Sequence, residues 1–432
     1  MQAVIMAGGK GTRLRSITND EIPKPMVQVS GKTILEWQIE ALKANGIDSI
    51  VIVTGHLGQK ITEYFQDGKK WDIHISYYQE TFPLGTAGAL GFLKDILNDT
   101  FVLAFGDVIF DIDVQRMVDF HKQHNSAITL FSHPNSHPYD SDLIISDKNG
   151  RVECFISKNV ERNEYYKNLV NAGFYIVDKK ICNEIEVGVK TDLEKHVITG
   201  RIQAAHDVYS YRSTEYIKDA GTPERIHAVE KDIDNGTVKS KNLRNKQKCI
   251  FLDRDGTINK YKGLLYREED FELEDYVADA IKKINSSNWL VMVVTNQPVV
   301  ARGLCDIADV ERIHNKMESL LGDYGAYLDD IAYCPHHPDK GYPEENPVYK
   351  VKCNCRKPSI GLITGLSEKY NIDIQNSWIV GDSTIDIQTG KNAGMHTALV
   401  KTGVGGTDGK YDIRPQIEGE NLLDLVARII KM

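Results

Sequence analysis

The sequence predicts an α/β protein of two domains. Short apolar runs alternate with amphipathic stretches through most of its 432 residues, the pattern of domains built on a largely parallel sheet. The length is comfortable for two cores. A polar, basic stretch at 236–247 (GTVKSKNLRNKQ) interrupts the alternation and reads as a linker, which places domains at 1–235 and 248–432. In the first domain, residues 3–6, 50–54 and 101–105 read as buried strands, with helices over 34–44 and 87–97. Strand-like segments at 127–132, 143–146 and 172–177 suggest an added, substrate-facing subregion. After the linker, 249–252 opens a new strand, and 289–295, 378–380 and 397–400 continue the series.

Composition narrows the function classes. Hydrophobic residues make up 41% and charged residues 26%, as in ordinary globular chains. A formal net charge of −9 argues against nucleic acid as a partner, so a phosphate-bearing substrate must be met by local cations, helix ends or metal. No apolar run has membrane-spanning length, and MQAVIMAGGKG lacks the basic n-region and cleavage pattern of a signal peptide. The seven cysteines form no disulfide framework apart from a cluster between 334 and 355, which fits a reduced, cytoplasmic setting.

The first chemical motif is GGKGTRLR, directly after the first strand. Gly8, Gly9 and Gly11 let backbone amides approach a triphosphate, and Lys10, Thr12 and Arg13 supply polar and cationic groups around it. Gly-Gly alone reads equally well as a tight strand-to-helix turn. The continuation adds PKPM, whose prolines fix Lys24, then PLGTAGAL with Gly85 and Thr86, GD with Asp107, NAG with Asn171, and KDAGTP with Asp219. In this order the motifs resemble the sugar-1-phosphate nucleotidyltransferases. The resemblance implies a Rossmann-like domain with a mixed sheet, in which a sugar phosphate attacks the α-phosphorus of a nucleoside triphosphate. On it, Arg13 and Lys10 bind the triphosphate, Lys24 the reacting phosphates, and Asp107 and Asp219 Mg²⁺. Gly85 and Thr86 face the base and Asn171 the sugar. Relatives often carry Glu-Lys-Pro where this chain has SKN, so Lys158 is a weaker match to the sugar-phosphate position.

The second motif is CIFLDRDGTIN. An apolar strand ends at Asp253 and Asp255 follows two residues later, so one carboxylate can attack phosphorus while the other handles the proton. The run DxDGT, Thr295 and Asn296 ending VMVVTN, Lys357 in CRKP, and GDSTID with Asp382 and Asp386 together resemble the haloacid dehalogenase (HAD) superfamily of phosphatases. That implies Mg²⁺ held by Asp253, Asp255, Asp382 and Asp386. The third motif is CPHHP followed by CNCRKP. Three thiolates and one imidazole, Cys334, His336, Cys353 and Cys355, match a closed tetrahedral Zn²⁺ site with a structural task, with His337 as the alternative ligand.

With the zinc loop, DRDGTIN, and TNQ followed by ARG, the second half is similar to heptose 1,7-bisphosphate phosphatases and their histidinol-phosphatase cousins. Arg302 and Arg356 would then bind the substrate's phosphate or sugar end. The first half is similar to heptose 1-phosphate guanylyltransferases, which implies GTP and heptose phosphates as small-molecule substrates. A homodimer is compatible with that half. Three other readings stay open: a different sugar such as a mannose-like hexose, a histidinol-phosphate activity, or one domain acting as a silent regulatory module.

Overall fold

The computed structural model describes residues 1–9, 11–204, 207–339, 341 and 344–432, with the side chain of Thr12 excepted. Two compact units emerge. One comprises Met1–His133, Ile144–Ile156 and Asn171–Asn242, the other Pro134–Leu143, Ser157–Val170 and Leu243–Met432.

The first unit is built on a mixed sheet. Its centre is β1 (Gln2–Ala7), flanked in parallel by β2 (Ser49–Thr54) and β4 (Thr100–Phe105), with β3 (His74–Gln79) parallel to β2 at one side. The central strands are nearly continuous buried runs of Val, Ile, Leu and Phe, as expected of a sheet covered on both faces. The helix Ile34–Ala44 matches the expected span. Thr33 and Glu36 form a reciprocal capping box that satisfies its first amides.

Two expectations need correction here. The stretch 87–97 is helical only over Leu90–Leu93. A Cβ on Gly88 would meet the carbonyl of Val189 at 2.7 Å, and one on Gly91 that of Ile185 at 2.8 Å, so the segment is pressed against 185–189 in place of a regular helix. The later strands form no separate subregion. They extend the same sheet, with β9 (Val170–Asp178) antiparallel to β4; β6 (Ile128–His133) and β7 (Leu143–Ser146) both pair with β9. A small antiparallel pair, β5 (Val108–Asp111) and β11 (Tyr216–Asp219), sets Asp219 opposite Val108 and so beside Asp107. Here β8 is Val152–Ile156 and β10 is Val208–Arg212.

The stretch 236–247 is more structured than a polar spacer. Thr237–Ser240 is helical, Val238 packs in the core of the first unit, and Leu243 is buried in the core of the second. The Asn242 side chain donates to Asp111 at 2.6 Å.

The second unit holds a six-stranded, all-parallel sheet in the order β14 (Asp330–Cys334), β13 (Trp289–Asn296), β12 (Lys248–Leu252), β15 (Trp378–Gly381), β16 (His396–Val400), β17 (Ile417–Gly419). Chemistry-bearing residues sit at the carboxyl ends of its strands: Asp253 after β12, Thr295 and Asn296 in β13, Cys334 in β14 and Asp382 after β15. Among the described residues, no helix is long and apolar enough to cross a membrane.

Candidate functional site

In the first unit, the loop after β1 and the turn at 23–26 converge on β5 and β11. Gly11 takes a left-handed conformation (φ 61°), and a Cβ there would stand 3.0 Å from the Cβ of Lys24, so the glycine loop lies directly on that side chain. The Lys24 ammonium sits between two carboxylates, 2.5 Å from Asp107 Oδ2 and 3.9 Å from Asp219 Oδ1. Arg225 pairs with the other oxygen of Asp219. Asp219 Oδ1 is buried and has no hydrogen-bond donor among the described residues. A buried, unsatisfied carboxylate oxygen beside a second carboxylate is a fit for a hard divalent cation. Gly221 closes over this pair: a Cβ would lie 2.5 Å from Asp219 Oδ1 and 2.9 Å from Lys24 Nζ.

Gly8 faces the carboxylate of Glu80, with Oε2 at 2.5 Å from a Cβ placed there. Glu80 Oε1 accepts the Leu84 amide at 3.3 Å, and burial raises its pKa. Gly85 (φ 83°) packs on the Thr191 carbonyl, and the Thr86 hydroxyl accepts the Leu193 amide at 2.7 Å. Asn171 donates to Glu194 Oε1 at 2.6 Å and to the Tyr175 hydroxyl at 2.8 Å, and Tyr175 itself donates to Glu194 at 3.1 Å. Arg13 is exposed. Lys10 and the Thr12 side chain lie outside the described residues. Lys158 falls in a segment grouped with the second unit, where its ammonium pairs with Asp140 at 3.2 Å.

In the second unit, Asp253, Asp382 and Asp386 bring carboxylate oxygens within 4.8 Å of one another, an arrangement that fits Mg²⁺. The Lys357 ammonium is buried among them, 2.5 Å from Asp386 and 3.0 Å from Asp253. Burial, opposed by Lys357, pushes Asp253 up to about 6. Burial, then the neighbouring Asp253 and Asp386, pushes Asp382 up to about 8. Asp382 is wedged between Gly256 and Gly403, where any Cβ would fall 2.2 Å and 2.0 Å from its Oδ2, and it accepts the Val404 amide at 2.7 Å. These groups line one cleft of about 200 Å³ with Thr295, Asn296, Gln297 and Arg356.

Asp255, expected with the metal carboxylates, is not in that three-residue group and has its own partners. Arg254 is fully buried and holds both Asp255 oxygens, at 2.9 Å each, while Gln297 donates to Oδ2 at 2.8 Å and Asn259 to Oδ1 at 3.1 Å. Asp255 still lines the same cleft as Asp253, Asp382 and Asp386. The Asn296 side-chain amide exchanges two hydrogen bonds with the Lys357 backbone, at 2.9 Å and 3.1 Å. Thr295 is buried and accepts from Gln297 at 3.0 Å. Arg302 is not among the residues lining the cleft.

Cys334, His336, Cys353 and Cys355 come together with ligand atoms within 4.8 Å. The three sulfurs lie 3.2–3.5 Å apart and His336 Nδ1 is 3.3 Å from Cys355 Sγ. The donor set fits a closed, tetrahedral zinc site. His337 turns elsewhere: it is buried, and its Nδ1 accepts the Asp339 amide at 3.2 Å. Arg356 donates to the His336 carbonyl at 3.2 Å, which couples this loop to the cleft.

Sequence reasoning missed Arg254, Gln297, Glu80 and Glu194. Arg254 and Gln297 flank recognised motifs, so adjacency was the available signal. Glu80 and Glu194 reach their sites only through tertiary folding.

The family model described as nucleotidyl transferase matches residues 2–236, and the one described as HAD-hydrolase-like matches residues 354–425. The chain is similar to mannose-1-phosphate guanylyltransferase 1 of Arabidopsis thaliana, with 34% identity over 52% of this chain and 62% of that protein. It thus spans about three fifths of that relative's length. Its second half is similar to the D-glycero-beta-D-manno-heptose-1,7-bisphosphate 7-phosphatase of Haemophilus ducreyi, 38% identical over 42% of this chain and 92% of that protein. The alpha-anomer 7-phosphatase of Photorhabdus laumondii is 40% identical over 37% of this chain and 85% of that protein.

Proposed function

From the chain's membership of the nucleotidyl transferase family, through residues 2–236, and of the HAD-like phosphatases, through its second half, we propose a bifunctional enzyme of nucleotide-sugar synthesis. The second unit removes the C7 phosphate of D-glycero-D-manno-heptose 1,7-bisphosphate. The first joins the resulting 1-phosphate to GTP, giving GDP-heptose and pyrophosphate. The observation that carries this reading is that one chain holds an aspartate–lysine cleft for phosphate removal and a Lys24–Asp107–Asp219 set for phosphate transfer. The product of the first reaction is the acceptor required by the second.

In the phosphatase step, an Asp253 oxygen attacks the phosphorus and the C7 oxygen leaves, taking a proton from Asp255. Water then attacks the aspartyl-phosphate, returns a proton to Asp255, and frees Asp253 and inorganic phosphate. Lys357 neutralises the transferring group and Thr295 offers it a hydroxyl. Bound Mg²⁺ would neutralise charge on the phosphoryl oxygens from Asp253, Asp382 and Asp386. Zn²⁺ held by Cys334, His336, Cys353 and Cys355 would be structural, and would fix the loop from which Arg356 reaches the cleft.

In the transfer step, an oxygen of the sugar 1-phosphate attacks the α-phosphorus, the bond to the bridging oxygen breaks, and pyrophosphate departs. No covalent enzyme intermediate is needed. Lys24, Arg13 and Lys10 balance the charge, and Mg²⁺ held by Asp107 and Asp219 would bring the two anions together. Asn171 meets the sugar. We assign Glu80, which lies against Gly8 and the Leu84 amide, to the base: guanine's N1–H and N2–H₂ present two adjacent donors to a carboxylate, uracil's N3–H only one, and adenine N1 and cytosine N3 are acceptors that would oppose it.

The test is made on each half separately. Phosphate release from the bisphosphate is expected to vanish in Asp253→Asn. Pyrophosphate release from GTP and heptose 1-phosphate is expected to vanish in Asp107→Ala and persist in Asp253→Asn. Loss of both activities in either variant would contradict two independent sites.

A further inference from the structure

A sugar bisphosphate, the substrate assigned to the phosphatase unit under the proposed function, carries a second phosphate that the cleft must also recognise. One phosphate lies at Asp253 and Lys357; the other is carried at the far end of the sugar, in a cleft already lined by Asp253, Asp382, Asp386 and Asp408. That distal dianion needs a cation. Lys357 is committed to Asp253 and Asp386, and Arg356 gives one guanidinium N–H to the His336 carbonyl while lining the cleft beside Lys357. Among the described residues, the third cation lining the cleft is Lys410, on the loop that grips Asp382.

The loop that carries Lys410 is anchored at several points. The Thr402 hydroxyl donates to the Gly256 carbonyl at 2.6 Å, the Val404 amide to Asp382 Oδ2 at 2.7 Å, and the Gly406 amide to the Asp382 carbonyl at 2.7 Å. Asp408 accepts both the amide and the hydroxyl of Thr384, at 2.8 and 2.7 Å, and the Tyr411 amide donates back to that hydroxyl at 3.2 Å. Lys410 is therefore held between two anchored neighbours, on the loop that also grips Asp382. The nearest acidic residue before it, Asp408, has each of its oxygens engaged by Thr384. Lys410 itself is exposed and makes no ion pair among the described residues.

We propose that Lys410 is a specificity-determining residue of the phosphatase site, which binds the distal phosphate of a sugar bisphosphate and so makes the cleft prefer a bisphosphate to a monophosphate. The assignment rests on the phosphatase reading of this unit. A lysine suits the task as a compact charge on a flexible stem, able to follow the far end of the sugar. Its contribution is ground-state and transition-state binding in equal measure, so its removal acts on KM with little change in kcat.

The experiment compares the full-length wild type, Lys410→Gln and Lys410→Arg, with Mg²⁺, on heptose 1,7-bisphosphate and on heptose 7-phosphate. Lys410→Gln is expected to lose about tenfold in kcat/KM on the bisphosphate, carried by KM. On the monophosphate it should stay within about twofold, and Lys410→Arg should restore most of the preference. Equal losses on both substrates, or no loss on the bisphosphate, would overturn the assignment of Lys410 and leave the phosphatase reading standing. Failure of the wild type to hydrolyse the bisphosphate would instead overturn the phosphatase reading, and the assignment with it.

Discussion

Single residues in both units are constrained by close approach to carboxylates. Gly256 has φ 81°, and a Cβ there would lie 2.2 Å from Asp382 Oδ2. Gly256→Ala is therefore expected to displace Asp382 and lower phosphatase kcat/KM by about 10²-fold, with a raised Mg²⁺ requirement and nucleotidyl transfer intact. Steady-state assays over a Mg²⁺ series check this. Glu80 makes a second case. If its carboxylate reads guanine, Glu80→Gln removes the acceptor for one of two donors, and the preference for GTP over other nucleoside triphosphates should fall by at least about tenfold. Competition between GTP and UTP or ATP, read by mass spectrometry, measures that ratio. Neither glycine nor glutamate declares this role in the sequence, because the contact in each case is with a residue many positions away.

At the scale of elements, legibility followed the periodicity of the chain. The core strands β1, β2, β4, β12, β13 and β15 are short buried runs between glycine or polar punctuation, so the apolar pattern marks them. The motif residues follow from their place at strand ends, since Asp253 and Asp382 directly succeed β12 and β15. The segment 87–97 misled because its amphipathic spacing is helical, while Gly88 and Gly91 answer to a tertiary contact with 185–189. The contacts that Arg254 and Gln297 make to Asp255 were likewise hidden, because they exist only in three dimensions. The helix Ile307–Asp323 carries another such feature, His314, whose Nε2 lies 3.4 Å from Arg254. Burial, then the Arg254 charge, holds His314 well below its usual range. A depressed pKa means the unfolded chain takes up a proton that the folded one refuses. The stability His314 contributes is present above about pH 6.5 and is lost as pH falls below it. His314→Gln is expected to flatten the acid limb of thermal stability below that pH, as followed by unfolding midpoints across pH. The cysteine–histidine loop gives a further expectation. The purified protein should hold about one Zn²⁺ per chain, absent in Cys355→Ser. Removal of zinc by chelation, followed by return of Mg²⁺, should impair the phosphatase through Arg356 and leave nucleotidyl transfer unchanged. Metal analysis beside the two activity assays decides it.

For the whole molecule, the central claim is that two chemistries on one chain act in order. Each unit has its own core and its own set of carboxylates and cations. The stretch 236–247 contributes a buried side chain to each core, Val238 to the first and Leu243 to the second. The most direct test is a single incubation of the full chain with Mg²⁺, heptose 1,7-bisphosphate and an equimolar mixture of GTP, ATP, CTP and UTP, followed by mass spectrometry over time. Inorganic phosphate and heptose 1-phosphate are expected first, then pyrophosphate and GDP-heptose, with GDP-heptose absent from both Asp253→Asn and Asp107→Ala. Nucleotide-sugar formed by Asp253→Asn from the bisphosphate, or a product that contains another base or retains the C7 phosphate, would contradict the central claim.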